Sequence, residues 1–209
     1  MKIGGLQRFT LSDYPGCPAA VVFTQGCNFR CPFCHNGALL APLNNAQQIA
    51  ETEVLVFLEK RKQQLGGVVI SGGEPTLQPD LAEFIGKIKK MGFAVKLDTN
   101  GSNPEVLEKL LKDGLVDYIA MDIKAPLTKY DTLCGVNTDT KSICRSIAII
   151  AKTTNHHFRT TWVKPLLDEN DIRKAGELLP ASSKYVIQPF HPAMALDPSL
   201  RKTQYENNW

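Results

Sequence analysis

The strongest constraint on the fold is a regular alternation of short β-branched segments with amphipathic segments along the 209-residue chain. Strand–helix alternation of this kind predicts a parallel sheet with right-handed crossovers, either doubly wound or closed into a barrel. Six strands are fewer than the eight of a complete barrel, so closure of a barrel would be partial. The six candidate strands occupy residues 19–25, 67–71, 93–99, 118–123, 158–163 and 184–190.

Helical patterns fill the intervals between these strands. Residues 45–64 carry apolar side chains at helical spacing, and a second apolar face follows within residues 81–88. Asn103 and Pro104 are typical of a helix start, where a capping residue precedes proline at the first helical position. A later helix is predicted to start at Asp168 or Asn170.

Length and composition fit one domain. A hydrophobic content of 43% is enough for a sizeable core, and the sequence has no internal repeat or low-complexity tract. We expect a single core domain over residues 1–209, with a short N-terminal extension at about 1–17 and a polar C-terminal tail at about 197–209.

Charge and hydropathy exclude some classes of partner. A net charge of +3 is too mild for a typical nucleic-acid-binding surface. No apolar stretch approaches the roughly 20 residues needed to span a bilayer, and the first residues do not resemble an export signal. We therefore expect a cytoplasmic protein with no nucleic-acid or membrane partner, in which cysteines stay reduced and serve metal or redox chemistry.

Polar residues follow the carboxyl ends of all six predicted strands. Active sites of parallel α/β folds lie at this edge of the sheet. Any one of these groups alone is typical of an ordinary turn, but six together predict a functional site. The groups are residues 25–27, 71–75, 98–101, 121–124 and 190–192, with Arg159 and Lys164 from the fifth strand.

Cys27, Cys31 and Cys34 have the spacing of metal ligands. A structural zinc site or an ordinary iron–sulfur cluster takes four protein ligands, so three thiolates leave one position open. Zinc would need His35, which adjoins Cys34 and is badly placed for the same tetrahedral ion. A fully ligated electron carrier would need Cys134 as the fourth cysteine.

We favour a four-iron cluster whose open iron binds a substrate or cofactor, as an open catalytic metal position does. The cysteines outside this motif stand alone, and we expect them to be small buried or incidental residues. They are Cys17, Cys134 and Cys144.

A glycine pair and two side chains are candidates for binding a ligand near the cysteines. Gly72 and Gly73 would let the backbone approach a ligand that side chains would obstruct. Glu74 could orient an ammonium group or could start a helix. Phe33 lies between two of the three cysteines, where it could pack on a ligand or in the core.

The segment CNFRCPFC, residues 27–34, resembles the signature of radical S-adenosylmethionine (radical SAM) enzymes, and SGGEP, residues 71–75, resembles their glycine-rich motif. The resemblance covers nearly the whole chain and implies a partial (β/α)6 TIM-like barrel. It implies a [4Fe–4S] cluster on the three cysteines, with the amino and carboxylate groups of S-adenosylmethionine on the open iron. One-electron cleavage then yields a 5′-deoxyadenosyl radical that abstracts hydrogen.

A closer resemblance is to glycyl-radical-enzyme activases, through the opening GGLQRFTLSDYPG and the segment VVFTQGCNFRCPFCHN. It is strongest to the anaerobic ribonucleoside-triphosphate reductase activating proteins. The resemblance implies a glycyl-radical enzyme as partner and a flavodoxin- or ferredoxin-type electron donor. It also implies contacts near the cofactor, some around a monovalent cation, for Asn36, Asp98, Thr99, Asp122, Lys124 and His191.

Within that set, the resemblance places Lys124 near the cofactor's carboxylate, and we expect Lys124 and His191 to act in turnover. Asp98 and Asp122 could instead cap helices or form turns. His156 and His157 match nothing in the family and are expected at the surface.

Two other functions stay open from the sequence. One is a radical SAM enzyme that acts on a small molecule, similar to the 7-carboxy-7-deazaguanine synthases. The other is a noncatalytic iron–sulfur or zinc module.

Overall fold

The computed structural model describes residues 1–40 and 48–202. Its strands are β1 (Ile3–Thr10), β2 (Ala19–Thr24), β3 (Gly67–Gly72), β4 (Ala94–Thr99), β5 (Tyr118–Asp122), β6 (His156–Trp162) and β7 (Tyr185–Pro189). Its α-helices are α1 (Glu51–Arg61), α2 (Leu81–Lys90), α3 (Pro104–Lys112), α4 (Tyr130–Cys134), α5 (Thr140–Ile150), α6 (Glu169–Gly176) and α7 (Pro198–Arg201). Within the described residues, no helix is long and apolar enough to cross a membrane.

The seven strands form one sheet in the order β1-β2-β3-β4-β5-β6-β7, so every strand pairs with its neighbours in sequence. All pairs from β2 to β7 are parallel, whereas β1 is antiparallel to β2. Among the described residues, the two end strands do not pair with each other. The predicted partial (β/α)6 barrel is therefore confirmed, with an added antiparallel strand at one end.

All six predicted strands are present, at β2 to β7, with ends that differ by up to two residues. Strand β1 was not predicted, because it lies in the stretch assigned to an N-terminal extension. Its residues show no period-two pattern of burial, and the side chains at positions 7 to 9 are exposed. Its sequence, IGGLQRFT, likewise lacks the alternation of apolar and polar residues that predicts a half-buried strand.

Helix predictions succeeded where a cap or a strong apolar face was present. Helix α1 lies within the predicted segment 45–64, of which residues 45–47 fall outside the described residues. Asp168 caps α6 through a reciprocal pair with Asp171, which decides between the two predicted starts. Asn103 precedes α3 as predicted, but its side chain makes no capping hydrogen bond.

Helices α4 and α5 were not predicted. The buried residues of α5 include Ile143, Ile147 and Ile150, and β-branched residues favour strands as much as helices. Helix α4 has only five residues, too few for a periodic pattern. Helix α7 occupies part of the predicted polar tail, and residues 203–209 lie outside the described residues.

The core lies on both faces of the sheet. Val68 and Ile70 of β3 pack into the large cluster beneath the helices, and Val69 between them packs on the opposite face with Tyr14 and Val21. All three β3 residues are fully buried, as expected for a parallel strand covered on both sides. Packing on both faces therefore fixes the position of each strand in the sheet. Since strands β2 to β7 are parallel, their carboxyl ends lie at the same edge.

Candidate active site

The loop after β2 carries the three cysteines of the metal-ligand motif, and all three line one cavity at the carboxyl edge of the sheet. Gly26 turns the chain there with a φ of 91°, a conformation that glycine adopts readily. The Cys34 N–H donates to the Cys31 carbonyl at 3.0 Å, and the Phe29 N–H donates to the Cys27 Sγ at 3.3 Å. The loop's own backbone therefore gathers the thiols.

A fourth cysteine lies behind this loop. Cys134 is fully buried at the end of α4, and its thiol is hydrogen-bonded to that of Cys31. Its carbonyl accepts a hydrogen bond from the Arg30 N–H at 2.7 Å. Unlike Cys27 and Cys34, it does not line the cavity. The geometry therefore gives Cys134 a supporting position and does not favour the four-cysteine electron carrier.

The thiols differ in their ionisation. Burial raises the pKa of Cys27 to about 11 and also raises that of Cys34. The hydrogen bond with Cys134 lowers the pKa of Cys31. Since the thiolate is the metal ligand, metal binding must displace the thiol protons.

The arrangement of the cysteines suits a cluster better than a single ion. Among the described residues, no three His, Cys, Asp or Glu side chains are grouped so that they could hold one metal ion. Three separate thiols around a cavity can instead each bind a different iron of a larger cluster. The zinc alternative therefore gains no support from the geometry.

Gly72 and Gly73 were predicted to permit close approach of a ligand, and in the structure they permit close approach of the protein's own backbone. A Cβ on Gly73 would lie 2.0 Å from the Gly26 carbonyl oxygen, and a Cβ on Gly72 would lie 2.4 Å from the Thr24 nitrogen. Gly72 also has a φ of 120°, which side chains rarely allow. The backbone that approaches these glycines is thus the start of the cysteine loop itself. Both glycines line the cavity, so the segment also remains open to a ligand.

The Glu74 carboxylate is fully buried and already holds four hydrogen bonds. Its Oε1 accepts from the Thr76 N–H and hydroxyl and from the Thr99 hydroxyl, the last at 2.8 Å, and its Oε2 accepts from the Asn100 N–H at 2.6 Å. Glu74 therefore starts the short 3-10 helix at Pro75–Leu77, which was one of its two predicted roles. Burial raises the pKa of Glu74, and it also lines the cavity, where the predicted ammonium contact stays a proposal.

Five charged side chains form a continuous network next to the cavity. Arg159 of β6 donates from Nη2 to Asp98 at 3.1 Å and from Nε to Asp122. Lys96 pairs with the other oxygen of Asp98, and Lys124 pairs with Asp122 at 3.0 Å. The two aspartates bind cations and do not cap a helix. Three cations meet two carboxylates, so the network has one excess positive charge.

The network keeps these groups ionised. Burial alone would raise the pKa of Asp98 and Asp122, but the neighbouring cations hold both below their ordinary values. Burial likewise acts to lower the pKa of Lys124 and Arg159, yet the adjacent Asp122 raises both above their ordinary values. These four groups are therefore charged at neutral pH, and the two cations that line the cavity, Lys124 and Arg159, suit a ligand that carries a carboxylate.

Three other predicted contacts also line the cavity. Phe33 is buried in the core and borders the cavity, with the Lys124 Nζ 6.0 Å from its ring centroid. Both predicted roles of Phe33 are compatible with this position. The Asn36 amide donates to the Gly72 carbonyl at 3.2 Å, and Thr99 supports Glu74.

His191 lies farther out than the other predicted site residues. It is exposed and is not among the residues that line the cavity. Its N–H donates to the Nε2 of His35 at 3.3 Å. His35 does line the cavity and stacks against the ring of Phe190 with centroids 5.7 Å apart. The structure thus places His191 at the rim, where His35 lies between it and the cavity.

Sequence reasoning did not assign roles to Arg159, Lys96 or Asn100. Lys96 stands between Val95 and Leu97 in one strand and Arg159 follows Phe158 in another, and a charge inside a strand that is partly buried needs a partner. That signal could have identified both. The Asn100 amide donates to Asn28 at 2.9 Å and contacts the Cys27 Sγ at 3.8 Å, which no pattern indicates.

The prediction that His156 and His157 are surface residues was wrong. Both lie in β6 and are half-buried. The Nδ1 of His157 is 3.0 Å from the Tyr118 hydroxyl, and burial lowers the pKa of His157 to about 4. Strand β6 starts at His156, two residues before the predicted start at 158, so both imidazoles belong to the sheet and not to the preceding loop.

Comparison with protein families gives a clear result. The profile of the Radical SAM superfamily matches residues 21–179. The chain belongs to this superfamily. The matched region starts in β2 and includes the cysteine loop, the 72–74 segment and the charged network.

Two relatives that align with more than nine-tenths of this chain indicate its group within the superfamily. A Methanocaldococcus jannaschii protein that provisionally bears the name of a glycyl-radical enzyme activating enzyme is 36% identical over 206 residues, covering 96% of this chain and 84% of that protein. The pyruvate formate-lyase-activating enzyme of Streptococcus mutans is 30% identical, covering 91% of this chain and 79% of that protein. The resemblance to the activase group of the radical SAM superfamily is therefore confirmed.

Two further similarities carry less information, one because it covers about half of each chain and the other because its sequence identity is low. The 7-carboxy-7-deazaguanine synthase of Methanopyrus kandleri is 33% identical over 132 residues, which cover 54% of this chain and 52% of that protein. The solved structure of QueE from Escherichia coli matches with a TM-score of 0.59 at 16% identity, covering 96% of this chain and 90% of that chain. At that identity the structural match shows the fold alone.

The superfamily implies a [4Fe–4S] cluster and S-adenosylmethionine, and the cavity residues fit both. Three cavity thiols can hold a cluster and leave one iron without a protein ligand. The excess positive charge of the network matches the cofactor's carboxylate. Open backbone at Gly72 and Gly73 borders the same cavity.

We expect Gly73→Ala to lose most of its iron. The new methyl group would meet the backbone carbonyl of Gly26, which cannot move without displacing Cys27. Gly86→Ala in α2 is the control, because a Cβ there meets nothing within 4 Å. Iron content and visible absorption after anaerobic reconstitution measure the effect. Normal iron content in Gly73→Ala would show that the contact between Gly73 and Gly26 does not position the cysteine loop.

Proposed function

We propose that the protein is an activating enzyme that reductively cleaves S-adenosylmethionine and generates a glycyl radical on a partner enzyme. One observation carries the proposal: the three thiols of the cysteine loop, the 72–74 segment and four side chains of the charged network, Lys124 among them, line the same cavity. Two relatives that match more than nine-tenths of the chain are named as activating enzymes and support the same reaction.

The bound cluster and cofactor would supply one-electron cleavage of the sulfonium bond and transfer of a hydrogen atom from glycine to the 5′-deoxyadenosyl group. Cys27, Cys31 and Cys34 would hold the cluster. The Lys124 ammonium would pair with the cofactor's carboxylate in a charge-assisted hydrogen bond. The backbone of Gly72 and Gly73, with Glu74 beneath it, would face the cofactor's amino group.

Other residues would shape the cofactor site. Phe33 would border the adenine, and Asn36 would keep the Gly72 carbonyl in place through its hydrogen bond. Asp122 would hold Lys124 in position. His191 would act from the rim of the cavity, where the partner's glycine loop would approach.

The partner is proposed to be a large glycyl-radical enzyme, in the first place an anaerobic ribonucleoside-triphosphate reductase. Glycine has no side chain, so a glycine loop can approach the cavity closely. A flavodoxin- or ferredoxin-type donor in the cytoplasm would supply the electron.

A small-molecule reaction of the 7-carboxy-7-deazaguanine synthase type is the second candidate. The relative from Methanopyrus kandleri supports it, but that match covers about half of each chain. The two activase relatives named above cover 96% and 91% of this chain. A noncatalytic iron–sulfur module would not explain why a charged network lines the same cavity, so this alternative gains no support.

Cluster binding is tested by matched cysteine variants. Reconstituted protein should hold about four irons per chain, and Cys31→Ser should lose most of them because a cluster that lacks one thiolate becomes labile. Cys144→Ser should keep them, since Cys144 is exposed on α5. Iron analysis and visible absorption decide the outcome. Equal iron in the two variants would contradict the ligand assignment.

Cofactor binding is tested at Lys124. Lys124→Met should weaken S-adenosylmethionine binding roughly tenfold to hundredfold, because a hydrogen bond between charged groups contributes about 1.5–3 kcal/mol. Lys152→Met, at an exposed position after α5, is the control. Equilibrium binding to the reduced cluster protein, with the change in its EPR spectrum, gives the affinity. Unchanged affinity in Lys124→Met would remove Lys124 from the cofactor site.

The activase reaction is tested with a partner. Anaerobic incubation with S-adenosylmethionine, a reductant and a glycyl-radical enzyme encoded beside this protein should give a doublet glycyl EPR signal. Exposure to oxygen should then cleave the partner at the radical glycine. If the partner stays silent while a small heterocycle is converted under the same conditions, the second candidate function is correct.

A further inference from the structure

Each carboxylate oxygen of Asp98 and Asp122 already has at least one protein donor. The resemblance to activases implies that residues in this region surround a monovalent cation. In the structure, Asp98 Oδ1 pairs with Lys96, and Asp98 Oδ2 accepts from the Ser71 hydroxyl at 3.2 Å and from Arg159 at 3.1 Å. Each of the two oxygens of Asp122 also has a cationic partner, one in Arg159 and one in Lys124.

The position between the two aspartates is held by one guanidinium. Arg159 uses its Nε for Asp122 and its Nη2 for Asp98, which is the fork geometry that guanidinium provides and that a spherical ammonium does not. The Arg159 side chain is only 17% exposed, so solvent screens these pairs weakly. A further cation at this point would face three positive groups. Among the described residues, no group of acidic, histidine or cysteine side chains could hold a metal ion there.

We propose that the Arg159 guanidinium is the resident cation of this site and replaces a bound sodium or potassium ion. Arg159 is then a positioning residue: it bridges Asp98 to Asp122, and Asp122 in turn aims Lys124 at the cofactor's carboxylate. The inference rests on the proposed binding of S-adenosylmethionine. It predicts that this chain, unlike a protein with a metal-ion site here, binds the cofactor without any alkali cation.

The first arm of the test uses the cluster-loaded protein. S-adenosylmethionine affinity is measured in tetramethylammonium, sodium and potassium chloride. At equal ionic strength we expect the dissociation constants to agree within about twofold, since screening is then the same in all three salts. An affinity that sodium or potassium improves tenfold or more would overturn the inference. Absence of cofactor binding in every salt would instead refute the proposed function.

The second arm removes the guanidinium. In tetramethylammonium chloride, Arg159→Ala should bind the cofactor at least roughly tenfold more weakly, because two buried carboxylates lose their shared partner. Sodium, potassium or a low concentration of guanidinium chloride should restore much of the affinity by filling the vacated position. Arg173→Ala is the control, since Arg173 is an exposed arginine that pairs with Glu177 on α6.

If Arg159 had only a structural role, Arg159→Ala would lose cofactor affinity and no added cation would restore it. That result would overturn the inference. Should Arg159→Ala fail to assemble a cluster, Arg159→Lys replaces it. A lysine keeps the charge but cannot bridge both carboxylates, so its affinity should rise on addition of guanidinium. No response of Arg159→Lys to guanidinium would likewise count against the bridge.

Discussion

The cysteine loop is held to the end of β3 by a backbone contact that leaves no room for side chains. The Gly73 N–H donates to the Thr24 carbonyl at 2.9 Å, and the Glu74 N–H donates to the Gly26 carbonyl at 2.8 Å. Because neither Gly72 nor Gly73 has a Cβ, the end of β3 and the start of the cysteine loop lie in direct contact. The position of Cys27, which follows Gly26, depends on this contact.

Glu74 extends that contact to the next strand. Its buried carboxylate accepts from Thr99 and Asn100 at the end of β4, and the Asn100 amide reaches back to Cys27 and Asn28. The chain of contacts therefore closes on itself, from the cysteine loop through β3 and β4 to the cysteine loop again. Since burying an unpaired carboxylate is costly, Glu74 stabilises this arrangement only while all its donors stay in place.

The sequence predicted the elements that repeat a strong physical pattern. Buried parallel strands have continuous apolar runs, and the carboxyl-edge position of the cysteines followed from their place after β2. Strand β1 and helix α5 lacked such a pattern, because β1 is a solvated edge and α5 is rich in isoleucine. The contact of Cys134 with Cys31 could not be predicted either, since it depends on how α4 packs behind the loop.

The charged network shows what strand periodicity can and cannot encode. Lys96 and Asp98 are two residues apart on β4, so they share a face of the sheet whatever the tertiary structure, whereas Lys124 lies just past the end of β5 and reaches Asp122 from the following loop. Which cation joins the two aspartates depends on register, and β5 pairs with β6 so that Asp122 lies opposite Arg159. A slip of one residue would turn Arg159 to the other face and leave both carboxylates without their common partner. The register of β5 and β6 therefore decides the electrostatics of the cavity as much as the identity of its residues does.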